Sequence, residues 1–382
     1  MPLIATLSKE GGRELKIITK IASAFLLGSL LAGDLVLIAA EESLDALIRA
    51  QGVSGREEPV RRVIASRLPE GAHAEVDNLG NLTMELGSGR PLRLVLASMD
   101  EPGYVVTRIQ EDGYLRVRRL SRLPLPALFD QYFVGQPVQI AADDSGGTLP
   151  GVSAVLSTHL QRGRRSPGGS PPPRDEDLLI DVGARSQKEA IAAGVRQLAP
   201  MTLEKSLLFL AGSRISGFAL DDRIGCEALL RLARGIDSSR LHGTLVLAWT
   251  AQSWVEFRGA KRLAQRYQPD ELLVVDLHAP DPPGKPSRGQ AGTPGKGPFL
   301  ARSEGTKNRA QLRRLRDAAR RSGVSIQQMD FGSQHEGTVF PKSSVAVVGI
   351  PVRFPGTPAE VADLRDLKSL TRWLQDYLEG AP

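Results

Sequence analysis

Two stretches of mixed helix and strand patterning flank a block, from Tyr104 to about Leu203, that holds only short alternating segments. This arrangement limits the fold more than any other feature. Before the block, apolar residues fall at helical spacing over 43–50 and 57–68, joined by the Gly-containing turn 51–55. The apolar runs 79–86 and 92–97 then read as strands, the second buried on both faces. Within the block, 104–109, 114–120 and 137–141 recur at the spacing of a small barrel or sandwich. After it come helix 222–233, strand 243–250, helix 259–267, strand 271–276, helix 308–322, strand 345–350 and a closing helix 358–378. Two α/β blocks around a β block predict one domain inserted into another. The expected division is a discontinuous α/β domain, 43–103 with 205–382, and an inserted β domain, 104–204.

Residues 1–42 form an apolar extension. Its segment 21–40 (IASAFLLGSLLAGDLVLIAA) is interrupted only by Asp34 and is long enough to cross a bilayer. Lys16 and Lys20 precede it as in a signal peptide, but Glu10 and Glu14 dilute that charge. A central Asp also costs roughly 2.5 to 3.5 kcal/mol on insertion. The expectation is a cytoplasmic chain, with anchoring or export through 21–40 as the alternative. Segments 162–175 (RGRRSPGGSPPPRD) and 280–297 are rich in Gly and Pro and predict exposed loops, the first of them disordered. Cys226 is the single cysteine, so no internal disulfide forms. Forty-nine Lys and Arg against 43 Asp and Glu leave a net charge of +6, scattered along the chain, and only 5% of residues are aromatic. Neither a basic patch nor a base-stacking series is present, which argues against a nucleic-acid partner.

Five segments give the chemistry: ASMDEPGYVV at 97–106, LLIDVGARSQKEAIAAGV at 178–195, SGFALDDRIGC at 216–226, VEFRGA at 255–260 and LLVVDLHAPDPP at 272–283. In order and spacing they resemble metallopeptidase family 42, the tetrahedral glutamyl and leucyl aminopeptidases, also labelled cellulase or endoglucanase. The resemblance runs from about Leu44 to Leu378. It implies a zinc-exopeptidase-like (phosphorylase/hydrolase-like) α/β sandwich with an inserted β-barrel dimerisation domain. The partner it implies is another copy of the chain, in a dimer or a dodecamer, or an active paralogue.

The family's reaction uses two divalent metals that share one carboxylate and activate a water, with a Glu as general base. The resemblance gives the shared carboxylate to Asp221 and the strand-end ligand to Asp276. It also places Ser98 where the family has a first-metal His, Ser253 at the general base, and Trp254 and Gly356 at second-metal ligands. Val339 takes the place of a nearby carboxylate. A serine hydroxyl is a poor zinc ligand, and an indole has only an N–H to donate.

Asp100, Asp222 and Arg223 are expected to support the site, Arg223 neutralising part of an acidic cluster made by Asp100, Asp221, Asp222 and Asp276. His278, His335 and Glu256 are candidate replacement ligands, each weighed against an ordinary surface or core role. The resulting expectation is a non-catalytic descendant without a cofactor, kept for assembly or peptide binding. The alternative is an active aminopeptidase with a relocated zinc or other divalent metal pair.

Overall fold

The structure, a computed structural model, describes residues 42–142, 147–156, 172–278, 292–302, 308–330 and 334–380. Segment 21–40 and most of both Gly/Pro-rich segments lie outside them. The chain divides into units 1–45 and 46–382. Of the first, 42–45 are described and are helical. The second carries the sheet and the barrel. Among the described residues no helix is long and apolar enough to cross a membrane.

An eight-stranded sheet runs in the spatial order Ala74–Val76, Leu82–Gly87, Thr244–Thr250, Leu92–Ser98, Glu271–His278, Ser344–Pro351, Phe299–Ala301, Gln327–Met329. Its four central strands, from Thr244–Thr250 to Ser344–Pro351, are parallel. Their middle residues are apolar runs because both faces are covered. Leu94, Val95, Leu96, Val246, Leu247 and Ala248 are fully buried. Helix Leu220–Gly235 packs on this centre, and helices Arg309–Ser322 and Leu364–Glu379 pack on each other.

Strands Tyr104–Ile109, Leu115–Arg119, Leu179–Asp181, Thr148–Ala154, Pro137–Ala141 and Pro200–Leu203 close into a barrel in that order. The alternation visible in the sequence is the alternation of inside and outside: Tyr104, Val106, Leu115, Val117, Val138 and Ile140 point into one core. Phe129, just before the turn Asp130–Phe133, stacks on Tyr104 with ring centroids 5.9 Å apart, and Phe133 meets Tyr104 edge-on at 4.7 Å.

One predicted element is corrected. The closing helix does not begin at 358: Glu360–Asp363 is a strand paired antiparallel with Arg214–Gly217, and the helix starts at Leu364. The Asp363 side chain accepts the Arg365 N–H, which makes it the cap where pairing ends and the helix begins.

Candidate functional site

Strands Leu92–Ser98 and Thr244–Thr250 end level with each other, Ser98 opposite Thr250, and Asp276 lies near the end of the parallel strand Glu271–His278. A ligand crevice is expected where parallel strands end. A cavity of about 210 Å³ lies there, and Ser98, Asp221, Asp222, Ser253, Trp254, Asp276, His335 and Glu336 are among its walls. Among the described residues no lysine or arginine lines it.

The carboxylates of Asp221, Asp222 and Asp276 present oxygens that all lie within 4.8 Å of one another. Asp221 has φ −81° and ψ 106°, outside the helical range, at the first turn of its helix. Ser98 Oγ donates to Asp222 Oδ2 at 2.6 Å. Asp221 Oδ1 is shielded from solvent and has no hydrogen-bond partner among the described residues. Burial, followed by the negative charge of Asp222, pushes Asp276 up to about 8. The same two causes raise Asp221 well above the usual carboxylate range, with Asp276 and Glu360 adding to them. Glu336, 4% exposed, accepts the Thr250 hydroxyl at 2.7 Å and is likewise raised well above its usual range, chiefly by burial. A wall this acidic favours a positively charged occupant.

Behind this wall a second network sets the turn after Thr250. Asp100 accepts the N–H groups of Ser253 and Trp254 at 2.9 and 3.0 Å, and the Ser54 hydroxyl. Burial, with nearby Glu57, pushes Asp100 up to about 7. Glu57 accepts the Gln252 and Gly55 N–H groups.

Arg223 does not neutralise the acidic cluster, as its place beside Asp221 and Asp222 suggests it should. It turns away and is fully buried, donating to Glu101 at 2.8 Å, to the Met99 carbonyl and to the Leu47 carbonyl. Lys205 holds the same Glu101 carboxylate at 2.6 and 2.7 Å.

The structure therefore brings Ser98, Asp221, Asp222, Ser253, Trp254, Asp276 and the candidate ligand His335 to one cavity and adds Glu336. Asp100 is held behind it, and Glu256 is exposed and absent from its walls. His278 is placed only as the last residue of its strand. Gly356 is also absent from the walls; its N–H donates to Glu360 Oε1 at 2.6 Å. Glu360, 1% exposed, also accepts the Asp221 N–H at 3.1 Å and escapes sequence reasoning. Its one available signal is the period-two position it shares with buried Ala362.

Among the described residues, the donor set does not fit a pair of zinc ions. The group close enough to hold a metal is three carboxylates, which His335 in the same wall does not join, Ser98 Oγ is engaged by Asp222, Trp254 offers no lone pair, and Gly356 offers no side chain.

The family profile of M42 glutamyl aminopeptidase matches residues 80–372. The putative aminopeptidase SgcX of Escherichia coli (strain K12) is 30% identical over 87% of this chain and 92% of its own length. The lysyl aminopeptidase of Pyrococcus furiosus is 26% identical over 88% of this chain and 96% of its own. Among solved structures, the TET1 peptidase of Pyrococcus horikoshii, described as assembling into a tetrahedron or a large octahedral shell, superposes with a TM-score of 0.79. It is 29% identical and covers 89% of this chain and 99% of its own.

Proposed function

The chain belongs to the M42 glutamyl aminopeptidase family, and on that premise we propose that it captures the N-terminal ammonium group of peptides without hydrolysing them. The observation that carries this reading is the composition of the cavity wall. Asp221, Asp222, Asp276 and Glu336 supply negative charge, Trp254 and Phe257 supply aromatic surface, and Ser253 occupies the wall position that the resemblance gives to the general base. An ammonium group satisfies carboxylates by charge-assisted hydrogen bonds and gains from an aromatic face. Removing a general base alone typically costs about 10² to 10⁴-fold in rate, so Ser253 weighs against turnover.

A second reading has its own support. The relatives are named aminopeptidases, and three carboxylates within 4.8 Å suit one hard cation. On that reading the chain is a peptidase with a changed metal requirement.

Titration calorimetry of the full chain with trialanine and N-acetyl-trialanine separates the two. Heat is expected with the free amine only, and Asp276→Asn should weaken binding about 10- to 100-fold, the worth of a charged hydrogen bond. No binding overturns the proposal. Hydrolysis of aminoacyl-nitroanilides with added zinc, manganese or magnesium, abolished by Asp221→Asn, establishes the second reading instead.

The same premise extends to assembly. The proposal is a homo-oligomer joined through the inserted barrel, and the named assemblies of the Pyrococcus horikoshii peptidase support it. A mass of at least two chains is expected in light scattering at micromolar concentration. A monomer there removes it.

A further inference from the structure

The segment that enters the barrel turn also lies on the site. The Leu120 N–H donates to the Gly103 carbonyl at 2.8 Å and pins the start of the stretch 120–129; the Phe129 N–H closes a turn within it on the Pro126 carbonyl at 2.9 Å, and the buried Phe129 side chain pins its end. Phe129 itself is 1% exposed in the barrel core. Between the pins, the N–H groups of Arg122 and Leu123 both donate to the Trp254 carbonyl, at 2.9 and 3.3 Å, and Leu123 forms part of the cavity wall. Pro126 lies against Gly356: a Cβ added there falls 2.8 Å from Pro126 Cγ and 3.4 Å from Cδ. Real Cβ atoms do not approach that closely, and a proline ring has little freedom to move away. Gly356 also sits at φ +70°, in the left-handed region that favours glycine.

Trp254 and Gly356 are the two positions that correspond to private ligands of one metal, while Ser98 and Asp276 belong to the other. The 120–126 segment touches the first pair. We propose that this segment has closed one half of the two-metal site, so that ligand substitutions confined to the pocket recover one metal and never two. Ser98, Asp221 and Asp276 still face one cavity, and Ser98→His there gives a set of one imidazole and two carboxylates, which suits zinc. Gly356→His gains nothing, because the new side chain starts against the Pro126 ring.

The inference rests on the residue correspondence with the family, not on peptide capture, and its readouts are zinc stoichiometry and melting temperature. Failure of the calorimetric peptide test leaves it standing. Zinc titration of the full chain should give one equivalent for Ser98→His. The same single equivalent is expected for Ser98→His combined with Ser253→Glu, Trp254→Glu and Gly356→His. Two equivalents in that fourfold variant overturn the proposal, and so does none in Ser98→His. Should the fourfold variant fail to fold, Gly356→Ala alone tests the closure. Its melting temperature should fall by about 3–6 °C, a shift of ordinary size for a strained site, and adding Pro126→Gly should restore part of it. A Gly356→Ala protein that melts with the parent overturns the closure, as does one that Pro126→Gly leaves unimproved.

Discussion

Replacing Glu101 with glutamine should destabilise the protein by about 3–5 kcal/mol, the usual result of removing one partner from a buried ion pair. The side chains of Glu101, Lys205 and Arg223 are all fully buried, and the carboxylate is held by both cations. One anion between two cations leaves the group with a positive surplus, and the pKa shifts reflect it. Burial opposes the charge of Glu101, yet Lys205 and Arg223 together hold it below its ordinary value. Lys205 is pushed down to about 8 by burial, a cost that Glu101 only partly offsets and Arg223 increases. Both groups make stability rise with pH, Glu101 as a gain that appears and Lys205 as a cost that is relieved. The folded value of Glu101 is the lower one, so its contribution is present above the ordinary carboxylate range and is lost on acidification through the folded value. The folded value of Lys205 is also the lower one, so its cost is fully present below about 8 and is relieved as pH rises toward 10.5. Urea midpoints across pH check both signs. An unchanged midpoint for Glu101→Gln at neutral pH would mean that water already solvates the network, while Lys205→Met added to it should recover part of the loss.

Trp373→Ala should cost about 3–5 kcal/mol, as large aromatic truncations in cores do. Trp373 is fully buried in helix Leu364–Glu379, and its indole N–H donates to the Leu315 carbonyl of helix Arg309–Ser322 at 2.7 Å. Volume should dominate over the hydrogen bond, whose net worth is about 1 kcal/mol. Trp373→Phe is therefore the informative companion, since it keeps most of the ring and loses the donor. Equal destabilisation by Phe and Ala in denaturant titration would show that the bond, not the packing, joins the two helices.

Much of the sheet and the barrel is legible in the sequence, because burial there is periodic. Leu94, Val95, Leu96 and Ala97 form an unbroken apolar run within Leu92–Ser98 and Tyr104–Ile109 alternates in burial, patterns that point to a strand covered on both faces and a strand covered on one. Asp221, Asp222 and Asp276 are legible for a different reason: each lies beside the end of a strand or the start of a helix whose position the pattern already fixes. Arg223 is not, because its neighbours in sequence are not its neighbours in space. Asp221 departs from helical geometry, and by Arg223 the side chains face Glu101 instead of the cavity. Glu360 and the start of the last helix escape together, since the strand that carries Glu360 is defined by pairing with Arg214–Gly217, which no local window contains. The approach of Pro126 to Gly356 is equally non-local.

That last approach also couples two positions that are remote in the sequence. A Cβ at 356 meets the Pro126 ring, on a backbone that already disfavours any side chain, so a residue other than glycine there is accommodated only as position 126 gives way. Stability changes at 126 and 356 should therefore not add, and a double-mutant cycle should read an interaction energy between them.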